Sequence, residues 1–179
     1  MATEQLTIRR TTAEDLPAVM DFYTKMIDEM RGTDFDIMWE HDEHPSHAFI
    51  RESVEKGYAI IGITEDGHIA SSLIIDFDAA PGYEKVPWEV EGPVDKVGIM
   101  HAVATLPEYH GRGFAKQLVN RSLELSREAG LKAIHLDTLL TNDRAHGLYP
   151  ACGFKSHGAY DIYYDDLGPI KLDMFEHVL

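Results

Sequence analysis

The sequence predicts a single mixed α/β domain. Strand-like and helix-like apolar patterns follow one another in the order β-α-α-β-β-β-α-β-α-β-β, giving seven strands and four helices. The length of 179 residues suits one hydrophobic core, since two domains would each fall below the usual size. A content of 44% hydrophobic and 26% charged residues is that of a globular chain, neither disordered nor collagen-like. No internal repeat, low-complexity segment or linker interrupts it.

The elements follow from local patterns. Leu6 and Ile8 alternate with polar neighbours, so residues 4–10 read as a short strand. Thr12, with Asp15 three positions on, is a candidate N-cap. Leu16, Val19, Met20, Tyr23, Met26, Ile27 and Met30 then recur at helical spacing through 13–31. Residues 32–46 are irregular and acidic, 48–56 form a second helix, and Gly57 stops it. Strands at 58–64 and 68–77 are joined by Glu65-Asp66-Gly67, a hairpin signal. Three prolines and two glycines mark 78–94 as an extended loop without packed structure. A strand at 96–105, a helix at 114–129 closed by Gly130, a strand at 132–139 and a short helix at 142–151 follow. Two terminal strands, 153–163 and 169–178, complete the chain.

Composition excludes several function classes. The 31 acidic against 16 basic side chains leave a net charge of −15, contrary to general nucleic-acid or anionic-membrane binding. Runs such as Tyr58–Ile63 are far shorter than the roughly 20 residues of a membrane helix. The start Met1-Ala2-Thr3-Glu4 has no basic and apolar signal segment, and the one cysteine, Cys152, fits a reducing cytoplasm. Charge is unevenly spread, however. Residues 111–132 hold Arg112, Lys116, Arg121, Arg127 and Lys132 against Glu124 and Glu128, a local +3 that leaves −18 on the rest.

That basic stretch begins at a predicted strand-to-helix junction, His110-Gly111-Arg112-Gly113-Phe114-Ala115-Lys116. A helix start offers unpaired N–H groups and partial positive charge, and glycines let an anion approach the backbone. Gly111 and Gly113 serve a tight turn equally well. Neither a Walker A loop nor a dinucleotide fingerprint fits, because Gln117 follows Lys116 and no third glycine stands at 116.

The segment Leu106-Pro107-Glu108-Tyr109-His110-Gly111-Arg112-Gly113-Phe114-Ala115 resembles the cofactor motif of the GNAT superfamily of N-acetyltransferases, with His110 where Gln or Arg is usual. Downstream, Asn142, Ala145, Leu148, Tyr149, Gly153 and Phe154 match the family's N-x-x-A-x-x-L-Y-x-x-x-G-F segment. Ile8-Arg9-Arg10 with Glu14-Asp15, and Leu172–Glu176, resemble its first and last elements. Ala102-Val103-Ala104-Thr105 replaces the Arg-Leu-Ala-Val of many relatives, so any role of that arginine is absent.

The resemblance implies a central, mostly antiparallel sheet of seven strands flanked by four helices, with the fourth and fifth strands splayed apart. It implies acetyl-CoA as co-substrate and no metal. Val103, Ala104 and Thr105 would bind the pantetheine arm through their backbone, Gly111, Arg112, Gly113, Phe114, Ala115 and Lys116 the pyrophosphate, and Asn142 a point near the pantetheine. Tyr149 would be the general acid that protonates the departing thiolate, a task that suits a phenol.

The general base is left open among His101, Glu40, Asp76 and Asp78. Cys152 reads as a small buried residue, since no Cys/His/Asn signature supports a thiol nucleophile. His41, His44 and His47 are spaced like a ligand cluster, but Pro45 intervenes and no fourth ligand is evident; a polar loop is expected. The expected function is acetyl transfer from acetyl-CoA to a primary amine, of a small molecule or a peptide, by direct attack in a ternary complex. The acidic segments can steer a cationic amine. Two further expectations are a cytoplasmic location and a homodimer through the terminal strands. The alternative is a GNAT-like module that binds acyl-CoA without turnover.

Overall fold

Alternating patterns and, at 59–63 and 69–76, continuously buried runs form strands here, and 3.6-residue patterns form helices. The computed structural model describes residues 4–34, 36–165 and 167–179. Met1, Ala2 and Thr3 of the start read above, and Phe35 in the irregular stretch, lie outside the described residues. The elements are β1 (Thr7–Arg10), α1 (Leu16–Met30), α2 (His47–Glu55), β2 (Ala59–Ile63), β3 (Ile69–Asp76), β4 (Val97–Thr105), α3 (Phe114–Glu128), β5 (Ala133–Leu139), α4 (Asp143–Ala151), β6 (Lys155–Tyr164) and β7 (Gly168–Val178). They reproduce the predicted order. The seven strands hydrogen-bond in the order β1-β2-β3-β4-β5-β7-β6, and the chain divides into two compact units.

The first unit comprises residues 1–75 and 101–121. β1 pairs antiparallel with β2, Thr7 opposite Ile63, and β2 with β3, Ala59 opposite Ile74. The apolar stripe of α1, from Val19 to Met30, is buried with Ile50 and Val54 of α2 and with Ala59, Ile61 and Ile74. The start of α1 follows the expected capping pattern after one 3-10 turn at Ala13–Asp15. The Asp15 carboxylate accepts the Thr12 amide at 2.8 Å and both Arg9 guanidinium nitrogens at 2.7 and 2.8 Å. The Arg9 hydrogen bond is the main reason the Asp15 carboxyl is held down to about 2.

The second unit comprises residues 76–100 and 122–179. β5 pairs antiparallel with β7, and β7 with β6. β4 meets β5 in parallel, the register running from Val97–Ala133 to Ile99–His135. Side chains alternate across this sheet, so the residues of β5 and β7 divide into two faces. One face carries Leu136 and Phe175; the other carries His135, Asp137, Met174 and Glu176.

One expectation is corrected here. Residues 78–94 are not merely an extended loop: two 3-10 turns form at Tyr83–Lys85 and Val94–Lys96, and Tyr83 and Val86 are buried. Proline and glycine prevent a regular element, but Tyr83, Val86 and Trp88 are too apolar to stay in water. They join Ile99, Ile162, Leu172 and Met174 in the second unit's core. Gly82 makes the close approach possible: its φ is 112°, and a Cβ there would stand 2.6 Å from the Asp161 carbonyl oxygen.

Candidate active site

In the first unit, the segment after β4 builds an open backbone loop. Gly111 and Gly113 have φ of 78° and 77°, values that cost other residues about 1–2 kcal/mol. A Cβ at either would meet nothing within 4 Å, so conformation, not crowding, demands glycine there. Phe114, buried to 1% exposure, anchors the start of the 15-residue α3. The first helical bond runs from the Gln117 amide to the Gly113 carbonyl at 3.1 Å, so the amides just ahead lack intrahelical acceptors. Ala115 is half-buried behind the loop and Lys116 is exposed beside it. The Arg112 guanidinium donates to Glu4 Oε2 at 3.1 Å and to the Glu108 carbonyl at 3.2 Å, and lies 5.2 Å from the Tyr109 ring centre. The His110 ring lies 2.8 Å from the Thr105 carbonyl through Nε2, so the side chain that replaces the family's Gln or Arg braces the end of β4.

Residues 101–105 of β4 depart from a plain strand. Ala102 has φ of 51°, a conformation rare outside glycine and Asn/Asp. Tyr23, fully buried on α1, donates its phenol to the Ala102 carbonyl at 2.9 Å and holds this kink. No sequence signal marks a strained alanine, and it went unforeseen. Val103 is half-buried, Ala104 is buried, and the Thr105 hydroxyl oxygen is buried without a hydrogen-bond partner. Next to the kink, His101 stands half-buried and edge-on to Phe49, ring centres 5.7 Å apart.

In the second unit, the motif residues gather on α4. The Asn142 side chain accepts the Ala145 amide at 3.1 Å, so it caps the helix. His146 bridges the Asn142 carbonyl at 2.8 Å and Asp173 of β7 at 3.1 Å, and the Ser156 hydroxyl donates to Asp173 at 2.8 Å. This chain tethers the start of α4 to the sheet. Tyr149 is 6% exposed and packs against Phe154 and Phe175, ring centres 5.5 and 5.7 Å away. Burial first, then the charges of Asp137 and Cys152, raise its phenol well above the ordinary value. Cys152 is buried, as expected of a packing residue.

The opposite sheet face of this unit carries two arrangements the sequence reading missed. Glu176, 2% exposed, accepts the Glu89 and Val90 amides at 2.8 and 3.0 Å and hydrogen-bonds His135 and His157 at 3.0 and 2.8 Å. Trp88 stacks on His135 with ring centres 3.8 Å apart. Burial pushes the Glu176 carboxyl up, but the amides and imidazoles outweigh it and hold it below the ordinary value. Two residues along β5, Asp137 Oδ2 accepts the phenols of Tyr83 and Tyr164 at 2.8 and 2.6 Å. A usable signal existed: period-two alternation places Glu176 on the same side as buried Leu172 and Met174.

The remaining candidates are dispersed. Glu40 is exposed and paired with Arg31 at 2.6 Å. Asp76 is buried at the end of β3, its Oδ1 accepting the Asp78 amide at 3.1 Å, and Asp78 is exposed. His41 pairs with Asp28 at 2.7 Å, and His47 approaches Asp42 at 3.5 Å. Among the described residues no group of three or more His, Cys, Asp or Glu side chains converges as a metal site, and no helix is long and apolar enough to cross a membrane.

The model of the Acetyltransferase (GNAT) family matches residues 16–154, a stretch that includes both motifs. A Bacillus subtilis (strain 168) protein, provisionally named ribosomal protein bS18-alanine N-acetyltransferase, is 29% identical over 148 residues, covering 82% of this chain and 84% of its own. The S-alkylcysteine N-acetyltransferase of the same organism is 29% identical over 157 residues, 88% of this chain and 79% of that protein. A Salmonella typhimurium structure that includes its cofactor acetyl-CoA has a TM-score of 0.65 at 16% identity and covers 97% of this chain and 94% of its own, a likeness of fold. The chain is a member of the GNAT family of N-acetyltransferases, enzymes that take their acetyl group from acetyl-CoA.

Proposed function

We propose that residues 1–179 act as one cytoplasmic acetyltransferase domain that moves an acetyl group from acetyl-CoA to a primary amine by direct attack in a ternary complex. The observation that carries this reading is the loop: two left-handed glycines, open at both Cα atoms, at the start of a long helix. Backbone N–H groups in that setting suit a pyrophosphate, and Lys116 adds charge. Arg112 joins them on leaving Glu4. The backbone of Val103, Ala104 and Thr105 would hold the pantetheine arm, and the partnerless Thr105 hydroxyl suits a polar ligand. One β4 amide facing the oxyanion would contribute about 3 kcal/mol to the transition state. Asn142, committed through its side-chain oxygen to the helix start, keeps its NH₂ group for the cofactor near its pantetheine.

Tyr149 serves as general acid. A phenol raised by burial stays protonated at neutral pH, and the same low-polarity surroundings raise a thiol as well, which keeps donor and acceptor matched. The names of both Bacillus relatives denote acetylation of an amine, an alanine in one and an S-alkylcysteine in the other. A net charge of −15 draws a cationic acceptor toward the protein. His101 or bound water takes the proton that the amine releases.

Melting with acetyl-CoA tests the binding half: a ligand of the folded state raises Tm by mass action. No rise at millimolar acetyl-CoA overturns the proposal. Thiol release from acetyl-CoA across an amine panel then tests turnover. Stabilisation without release on any amine leaves a binding module in place of an enzyme.

A further inference from the structure

Asp137 has an environment that packing alone does not explain. It lies on β5, on the sheet face that residues 83–88 cover, and is half-buried at the edge of an apolar cluster of Tyr83, Ile162, Leu172 and Met174. Tyr83 and Tyr164 both donate to the same oxygen, Oδ2, leaving Oδ1 without a protein donor among the described residues. No lysine, arginine or histidine forms an ion pair with it among the described residues. A carboxylate set among apolar groups without a cation is costly. The 83–90 segment is fixed from below by Glu176, so the phenols are held in place before a ligand arrives.

We propose that Asp137, held by Tyr83 and Tyr164, is the counter-ion for a second, non-reacting positive charge on the acceptor, so that the protein selects dicationic amines. Both phenols donate to Oδ2 and fix the carboxylate in place, which leaves Oδ1 for an ammonium of the ligand. The anchored ammonium does not react, and a different, neutral amine attacks. Asp76 adds to the negative field at Tyr83. This rests on the acetyltransferase reading above, since it names the acceptor of that reaction.

The test compares short α,ω-diamines with n-alkylamines of the same length, in wild type and Asp137→Asn. The asparagine keeps the shape, and its amide oxygen still accepts both phenols. Wild type should prefer the diamine, and Asp137→Asn should erase the preference through a diamine KM raised about tenfold to a hundredfold, whereas any change in kcat from the altered field at Tyr149 falls on both amine classes alike. A preference untouched by the variant, or equal rises in KM for both amine classes, overturns the proposal. If the variant does not fold, wild type alone decides: an ionic anchor makes the diamine KM rise with added NaCl more steeply than the monoamine KM, which changes only as the general attraction of the −15 charge is screened, and parallel salt responses refute it. Calorimetric binding of the same diamines separates this inference from its premise. Asp137-dependent binding without acetyl transfer removes the enzyme and keeps the anchor; transfer with Asp137-independent binding does the reverse. Absence of diamine binding and of transfer removes the anchor.

Discussion

The loop at 110–116 and the face around Glu176 solve opposite problems. The loop keeps backbone donors exposed and side chains away, using two glycines in a conformation others avoid. Around Glu176 every acceptor position is filled: each carboxylate oxygen takes one amide and one imidazole, at 2.8–3.0 Å. A site for a transient anion must leave donors unspent, whereas a permanent buried anion must be saturated. The former is a binding device and the latter a fastener that ties residues 89–90 to β7.

Breaking the fastener should have the largest effect. Glu176→Ala strands two amides and two imidazoles in a buried site, and the expected loss is about 3–5 kcal/mol of stability. Urea unfolding measures it; a loss under about 1 kcal/mol would mean that water replaces the carboxylate without penalty. Tyr149→Phe comes next, because it removes one atom from a packed ring. Turnover should fall about a hundredfold with acetyl-CoA affinity nearly unchanged, as steady-state kinetics and calorimetry would show. Unchanged turnover would remove the acid assignment. Gly113→Ala is milder still: left-handed strain of about 1–2 kcal/mol should weaken acetyl-CoA binding roughly tenfold while leaving the melting point of the free protein within a few degrees. Equal affinity in the two proteins would show that the loop's backbone geometry does not matter for binding.

These regions were unequally legible in the sequence. The order of strands and helices was readable because apolar spacing reports burial directly, as in the run from Val19 to Met30. The glycine loop and the 142–154 segment were readable because their chemistry is local. The Glu176 cluster was not. Its partners come from residues 89, 90, 135 and 157, and only the register of β5, β6 and β7 assembles them. Composition made 78–94 look like bare loop, yet its three large side chains were the sign that it must pack. The kink at Ala102 left no trace in residue type, since a phenol 79 positions away holds it.

The smallest effect is the one pH should expose, and it separates fastener from loop. Burial pushes the His135 imidazole down more than Glu176 pulls it up, so the fold prefers its neutral form. A depressed histidine contributes stability above its unfolded value near 6.5, and that contribution is lost as pH falls below it. Glu176 acts in the same direction lower down: its contribution is full above the ordinary glutamate value near 4.3 and fades as pH drops through the lowered folded one. The charged and titratable groups around His135 are Glu176 and His157, with Trp88 stacked on the ring. Melting followed from pH 8 to pH 5 should therefore show a modest decline that begins near pH 6.5. In His135→Gln, whose amide can still donate to Glu176, the decline below pH 6.5 should shrink to the share of His177, whose imidazole burial also pushes down, until the carboxylate titrates. The same shallow slope in both proteins would place the acid sensitivity elsewhere and leave the fastener a matter of geometry alone.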